Sequence, residues 1–353
     1  MTLAQEAATR AEHLRALGRF DDAERILRTA LNDEPSDGGL LLALAAVLLS
    51  VRRFDEGLAV AAAAVAAAPD DERGHRIRAL LLAGQGRHRE AVESGYRAVT
   101  LAPSSPTAAL AYSMLLQGAG RLADAAQVAR RAIELVPQSA DAHFQLADVT
   151  SDQGDRATAR QAYAETLRLN PEHAAARHDL AVLDARAHRP GRALGGLVTA
   201  GRLDPTMPEV LGTVTAVCWQ LSWRIRMLYF AGTLVTIGGT GGEPGPTWGA
   251  RLAAVGVLAV TFALGWWTAR PLPRGTWPVA RAAIRADRPL TVTYLTLGLC
   301  TLLFAVVAVS GVGLVASAVW LALGFLGLMA LAVRLFRRGP RAARGSGQVR
   351  PGS

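Results

Sequence analysis

Histidine is the residue type in this sequence best suited to acid–base or metal chemistry. Seven are present: His13, His75, His88, His143, His173, His178 and His188. Two histidines bind one metal ion from one helix when they lie four residues apart, but His173 and His178 are five apart. No nucleophile stands beside a base in a pattern typical of catalysis. We therefore predict that the chain is not an enzyme and that it holds no metal or cofactor.

Two other groups of residues with chemical potential also favour a structural role. Cys218 and Cys300 are far apart in the sequence and lie in apolar surroundings, so we predict two buried free thiols rather than a disulfide. The glycines between residues 241 and 249 lack the lysine of a phosphate-binding loop, and we interpret them as a flexible turn. The expected activity is therefore binding, which depends on the surfaces that the helices form.

Prolines recur every 34 residues through the first half of the chain. They are Pro35, Pro69, Pro103, Pro137, Pro171 and Pro205. Small residues occupy three further columns in the same register, one of which holds Ala11, Ala45, Ala79, Ser113, Ala147 and Ala181. A fourth column, 17 residues before the proline, holds Gly18, Arg52, Gly86, Gly120, Gly154 and His188. A fixed period in this range indicates a repeat architecture, here of six units.

Each unit is predicted to form two short helices that meet near the glycine column. Glycine suits a helix end because it adopts positive φ without a Cβ penalty. Proline cannot continue a helix, so it opens the turn to the next unit. The columns of small residues let neighbouring helices approach closely. Because one unit cannot bury its apolar face alone, the stacked units are expected to share a core.

This pattern resembles the tetratricopeptide repeat over about residues 4–207, through its period, its small-residue columns and its proline column. The resemblance implies an all-α fold, a right-handed superhelical solenoid of six helix-turn-helix units whose inner face binds peptides or partner helices. Members of the family are mostly adaptors and co-chaperones. The sequence departs from the family where Leu, Ala or His replace its large aromatic residues. Arg52 and His188 replace the turn glycine, so the second and sixth units are expected to pack less regularly.

The inner face is predicted by offset from the proline column. It contains Leu42, Ala46, Leu49, Arg73, Arg76, Leu80, Leu110, Met114, Phe144 and Asp148. One interpretation is a groove for an amphipathic helix or an extended peptide. The other is that these residues pack against neighbouring repeats or against the C-terminal helices of the chain itself. Some members of the family clamp a C-terminal carboxylate with Lys, Arg and Asn, and only Arg73 and Arg76 suggest such a clamp here.

The composition changes after the last repeat proline. Residues 1–209 carry 24 Arg and 27 Asp or Glu, a net charge of −3, whereas residues 210–353 carry 14 Arg and two acidic residues, a net charge of +12. Arginines that flank apolar stretches are typical of membrane proteins rather than of nucleic-acid binders, so we expect no nucleic-acid partner. A bilayer requires about 18–20 apolar residues per helix. We predict four transmembrane helices at about 222–239, 250–268, 290–310 and 313–335.

The arginines also predict the orientation. They are numerous after the second and fourth predicted spans, and Arg251, between the first and second, is the one that disagrees. The positive-inside rule then places the repeats and the C-terminus in the cytoplasm, in a multi-pass protein of the cytoplasmic membrane. A further cluster, Arg281, Arg285 and Arg288, falls on one helical face beside Trp277. It is either a short interfacial helix on an anionic leaflet or an ordinary basic loop.

These observations predict three domains: the repeat solenoid over residues 1–207, a membrane domain over 208–339 and a disordered basic tail over 340–353. The predicted function is an integral-membrane scaffold that presents a surface for a protein or peptide partner in the cytoplasm. The alternative is a structural subunit of a larger membrane complex for transport or envelope assembly. The last three predicted spans carry no ionisable residue away from their ends, which disfavours a transporter that acts alone.

Overall fold

A computed structural model of the chain describes residues 2–207, 209–239, 246–270 and 276–312, together with Val319 and Gly324. The described residues contain 16 α-helices. The chain divides into two compact units, an N-terminal compact unit, Met1–Ala176, and a C-terminal compact unit, Arg177–Ser353. The division falls inside the sixth repeat, whereas the three domains predicted from the sequence follow the repeat period and stay a prediction.

Twelve helices form the six units, two helices to a unit, as the period predicts. The first helices of the units are α1 (Leu3–Ala16), α3 (Gly38–Ser50), α5 (Glu72–Gly84), α7 (Pro106–Gly118), α9 (Ala140–Asp152) and α11 (Ala174–Arg186). The second helices are α2 (Phe20–Asp33), α4 (Phe54–Ala67), α6 (His88–Leu101), α8 (Leu122–Leu135), α10 (Arg156–Leu169) and α12 (Pro190–Leu203). From α1 to α10, each helix packs on the next, and each first helix also contacts the first helix of the following unit.

Local sequence signals account for the helix boundaries. Two residues after the proline, an Asp or Ser caps the first helix of units two to five; for example, Asp37 Oδ1 accepts from the Leu40 N–H over 2.8 Å. At the other end, the residue in the glycine column has positive φ and the next N–H donates five residues back, as Arg121 N does to the Leu116 carbonyl over 2.8 Å. This left-handed C-terminal cap satisfies carbonyls that the helix leaves open.

The two exceptions in the glycine column adopt the same conformation as the glycines. Arg52 has φ 62° and His188 has φ 58°, against 74° at Gly120. The prediction that these units pack less regularly is therefore wrong at the turn itself. The repeat context holds a strained backbone at Arg52 and His188, because the left-handed region costs a residue with a Cβ free energy.

The small-residue columns lie in the core, as predicted. Ala45, Ala79, Ser113 and Ala147 are fully buried, and the Ser113 hydroxyl donates to the Ala125 carbonyl of α8, the second helix of the same unit, over 2.9 Å. At Gly57 in α4, an added Cβ would lie 2.7 Å from Leu81 Cδ2, so a larger residue would require the Leu81 side chain to move. The columns are small because the helices approach closely.

The helix after the sixth unit, α13 (Glu209–Gly238), is 30 residues long and contains the first predicted span in its second half. Its first half begins 35 residues after α11 begins, close to the position of a seventh first helix. There Val210, Val214 and Val217 pack on Leu194 and Leu197 of α12. The sequence analysis did not predict this helix, which covers the apolar face that the last repeat would otherwise expose.

The described part of the C-terminal compact unit contains three further helices: α14 (Trp248–Ala269), α15 (Thr276–Ala286) and α16 (Arg288–Ser310). Helices α13, α14 and α16 pack on one another, and α15 packs on α12, α13 and α16. Gly232 of α13 lies so close to α14 that an added Cβ would be 2.4 Å from Val257 Cγ2. This close approach lets the helices form one bundle with a core around Tyr229, Phe304 and Val307.

Two of the four predicted spans correspond to helices that suit a bilayer. Residues Trp248–Thr268 of α14 and Arg288–Ser310 of α16 are long and apolar enough to cross a membrane, judged by length and composition alone. The first predicted span lies within α13, which does not meet the same criteria; Arg224 and Arg226 interrupt its apolar sequence. The fourth predicted span, 313–335, lies outside the described residues except for Val319 and Gly324.

Candidate functional site

A cavity of about 770 Å³ opens between the first helices of units one to three. Six of the ten residues predicted for the inner face line it: Leu42, Ala46, Leu49, Arg73, Arg76 and Leu80. Helix α1 supplies a further side of the cavity through residues that the sequence analysis did not predict: Ala4, Gln5, Ala8, Thr9, Glu12 and Arg15. We call this cavity the α1–α3–α5 groove. The helix register explains the agreement, because residues at one offset from the proline share one face of each first helix.

The other four predicted inner-face residues lie farther along the repeats and do not line this groove. Leu110 is half-buried, and Met114 is 50% exposed on α7. The Phe144 ring packs between the rings of Tyr163 and His173, with centroid distances of 5.9 and 4.6 Å. The Phe144 side chain therefore packs on Tyr163 of its own unit and on His173, which follows the next repeat proline.

Asp148, the last predicted inner-face residue, belongs to a hydrogen-bond network that joins two units. Its carboxylate accepts from Gln117 Nε2 over 3.1 Å and from the Tyr163 hydroxyl over 3.4 Å. Gln145 Nε2 donates to Gln117 Oε1 over 2.8 Å, and the buried Ser113 hydroxyl donates to the Ala125 carbonyl over 2.9 Å. The sequence analysis did not predict Gln117 and Gln145, because two glutamines 28 residues apart carry no periodic signal that marks them as partners.

Ion pairs occupy both arginines of the α1–α3–α5 groove. Arg73 Nη2 lies 2.8 Å from Asp71 Oδ2, and Arg76 Nε lies 3.2 Å from Glu72 Oε2. The Arg73 guanidinium lowers the pKa of the Asp71 carboxyl by hydrogen bonding, and the Arg73 backbone N–H lowers it further. A ligand carboxylate would have to displace these partners. The arrangement therefore differs from an open clamp for a charged C-terminus.

Two of the three arginines of the predicted basic face, Arg281 and Arg285, lie on α15, whereas Arg288 is the first residue of α16. Arg281, Arg285 and Arg288 are all exposed, and the Arg281 guanidinium lies 5.7 Å from the ring centroid of Trp277. On the other side of α15, Ala280 and Ala283 are buried. This part of the chain is therefore an amphipathic helix rather than an irregular loop.

Side-chain hydrogen bonds fix the position of α13 along α16. Trp219 Nε1 donates to Asp287 Oδ2 over 3.2 Å, beside the N-terminus of α16 that Asp287 also caps. The Tyr294 hydroxyl donates to the Cys218 carbonyl over 2.9 Å. The thiol of Cys218 is free and buried, as predicted, and burial raises its pKa to about 11, so it is a poor nucleophile at neutral pH.

Family models decide the nature of the repeats. Two models described as tetratricopeptide repeat match the chain, one over residues 14–81 and the other over residues 110–150 and 144–208. The chain is a member of the tetratricopeptide repeat family. The resemblance seen in the proline and small-residue columns is thus confirmed, and the matched residues include most of the α1–α3–α5 groove. Tetratricopeptide repeats generally bind protein partners.

Comparison with curated protein sequences gave no match. Among solved structures, the tetratricopeptide repeat chain is similar to the APC/C hetero-tetramer Cut9-Hcn1, with 14% identity and a TM-score of 0.54 over 60% of this chain and 42% of that one. The chain thus spans about two fifths of that protein. Two others are pilF of Pseudomonas aeruginosa (19% identity, TM-score 0.49, 59% of this chain and 95% of that one) and PilW, a type IV pilus biogenesis factor (19%, 0.49, 52% and 86%). At 14% identity, the first similarity shows the fold alone.

Proposed function

We propose that this tetratricopeptide repeat protein is a membrane-held scaffold that binds a segment of a partner protein in the α1–α3–α5 groove. The observation that carries the proposal is the groove itself, because three first helices surround a volume of about 770 Å³, within the usual range of ligand clefts. The proposal extends the coarse function of the family, protein binding, to a particular place on this chain.

The chemistry of the groove indicates the kind of segment that fits. Leu42 and Ile77 form a largely buried floor, and Leu49 and Leu80 are half-buried beside them. The charged groups of the rim are already paired, as Arg15 is with Glu12 over 3.5 Å. A segment with two or three apolar side chains on one face would bury them on the floor and leave these pairs intact. We therefore propose an amphipathic helix or an extended apolar peptide, not a strongly charged tail.

The proposal of membrane attachment rests on the outer faces of helices in the C-terminal compact unit. Large apolar side chains are exposed along α14 and α16, among them Leu252, Phe262, Leu295, Leu302 and Val309. Soluble monomers rarely expose apolar patches of this extent. Tryptophans lie at both ends of α14, with Trp248 at the start and Trp266 and Trp267 at the end, as is typical of helices that meet both membrane interfaces. We propose that α14, α16 and the second half of α13 cross the cytoplasmic membrane with the repeats on the cytoplasmic side.

The groove is tested by crosslinking in cells that produce the full chain. A photo-reactive residue placed at Leu49 should give one dominant adduct of defined mass, and Leu80→Asp should abolish that adduct because it places a charge on the apolar floor. Tyr96→Asp is the matched control, since Tyr96 is exposed on a second helix away from the groove. Adduct yields that are equal in wild type and Leu80→Asp would contradict the proposal. If a photo-reactive residue gives an adduct only when it is placed in the C-terminal compact unit, the result would instead support a structural subunit of a membrane complex.

Membrane attachment is tested separately. The full chain should stay in the membrane fraction after alkaline carbonate extraction. In the proposed orientation, Trp248→Cys should react with an impermeant maleimide in intact cells, whereas Arg285→Cys should react only after permeabilisation. Both native cysteines are buried, which keeps the background low. Release by carbonate, or labelling of Arg285→Cys in intact cells, would overturn the attachment or its orientation.

A further inference from the structure

An arginine recurs at the N-cap of the second helix in most units, and its partner is an acidic residue three positions later. The pairs in units one to four are Arg19 with Asp22, Arg53 with Glu56, Arg87 with Glu90 and Arg121 with Asp124. In unit four, for example, Arg121 Nε donates to Asp124 Oδ2 over 2.8 Å. The guanidinium at this position is therefore normally neutralised inside its own unit.

The sixth unit reverses this charge pattern. Arg189 occupies the N-cap of α12, but the residue three positions later is Arg192. Both side chains are exposed, and within the described part of the chain neither makes an ion pair. Like charges at this spacing repel each other. An anion between the two guanidinium groups would remove that repulsion.

The two arginines of unit six line a cavity of about 620 Å³ in the C-terminal compact unit. The end of α14 forms the opposite side, through Trp267, Thr268 and Arg270. Arg224 extends toward the same turn and donates from Nη2 to the His188 carbonyl over 3.1 Å. Three arginines without an ion-pair partner among the described residues, Arg189, Arg192 and Arg270, therefore line one space at the end of an apolar helix.

We propose that this cavity binds the phosphate group of an anionic lipid. Arginine suits phosphate because its planar guanidinium donates two parallel hydrogen bonds to two oxygens. The position favours a lipid over a soluble phosphate, because α14 is long and apolar enough to span a bilayer and Trp267, 70% exposed, lies at its end. This inference rests on the proposed membrane attachment and adds a lipid contact between the last repeat and the bundle.

The test measures binding of short-chain lipids to the purified full chain in an uncharged detergent, by isothermal titration. We expect saturable binding of dioctanoyl phosphatidylglycerol, and weaker binding, by about tenfold or more, of dioctanoyl phosphatidylcholine and of inorganic phosphate. The decisive variant is Arg192→Glu. It recreates the arginine–acid pair of units one to four, so it should fold at least as well as wild type while its affinity for the anionic lipid falls by about tenfold or more.

Arg121→Gln is the matched control, because it changes an exposed N-cap arginine of unit four and should leave lipid affinity unchanged. Equal affinity of wild type and Arg192→Glu, with melting temperatures that show both to be folded, would overturn the site. Equal affinity for inorganic phosphate and phosphatidylglycerol would overturn the lipid as its ligand. Carbonate extraction of the same variants keeps the proposals distinct: a chain that stays in the membrane fraction but binds no anionic lipid refutes only the cavity.

Discussion

Arg251 Nη2 donates to the carbonyl oxygen of Ser310 over 3.3 Å, so the first turn of α14 covers the last turn of α16. Helix α16 ends there at Gly311, whose φ is 75°, and the Thr247 N–H donates to the Gly311 carbonyl over 3.0 Å. A cation at a helix C-terminus interacts favourably with the helix dipole and with carbonyls that lack a helical partner. The arginine that disagreed with the predicted topology therefore has a structural role.

We expect Arg251→Leu to lower the free energy of unfolding of the C-terminal compact unit by about 1–2 kcal/mol, because the Ser310 carbonyl loses its donor in an apolar setting. The melting temperature of the detergent-solubilised chain, followed by circular dichroism, measures the effect. Arg281→Leu is the control, since Arg281 is exposed and stacks on the exposed ring of Trp277. Equal melting temperatures for the two variants would show that the contact with Ser310 contributes nothing.

Two glycines of the fourth unit should respond to alanine with opposite signs. Gly120→Ala is expected to cost about 1–2 kcal/mol, because φ at Gly120 is 74° and only the left-handed backbone opposes a Cβ that has open space around it. Gly118→Ala is expected to stabilise by about 0.5–1 kcal/mol, because Gly118 is helical and its added Cβ would meet His88 only at 3.5 Å. Thermal unfolding of both variants checks the signs, and a shared direction would contradict the assigned turn.

Packing of α13 on α14 makes a similar contrast. Gly232→Leu should destabilise the bundle by about 1–3 kcal/mol, because its Cβ already meets Val257 Cγ2 at 2.4 Å. Gly256→Leu adds the same side chain where nothing lies within 4 Å, so its melting temperature should match that of wild type. Protease resistance of the bundle in detergent gives an independent measurement. Equal tolerance of both changes would mean that the two helices are not in close contact at Gly232.

Acid should weaken the third unit through Asp71, which caps α5 and pairs with Arg73. Because the folded state has the lower pKa at Asp71, its contribution is fully present above the unfolded pKa of about 3.9 and is lost as the pH falls through the lower folded value. Asp71→Asn retains a cap but cannot titrate, so its melting temperature should fall less between pH 7 and pH 3. Asp70→Asn, on an exposed neighbour, should behave like wild type.

The 34-residue period by itself determines most of the repeat region. Thirty-four-residue spacing of proline, glycine and small residues is a local property, since each column marks a helix end or a helix contact inside one unit or the next. For the same reason, the offset from the proline placed Leu42, Leu49, Arg73, Arg76 and Leu80 on one face. The offset did not find the contribution of α1, nor the engagement of Phe144 and Asp148 by neighbouring side chains, because those depend on which partners each side chain meets.

Only the tertiary structure decided which residues meet across distant parts of the C-terminal compact unit. The sequence shows Arg251 as an isolated charge and Arg192 as one of many arginines, with Ser310 59 residues from the first and Arg270 78 residues from the second. Helix packing brings each pair together, and helix packing is set by side-chain shape over the whole bundle rather than by a short pattern. The family and the twelve repeat helices could therefore be predicted from the sequence, whereas the first half of α13, the cap on α16 and the basic cavity required the fold.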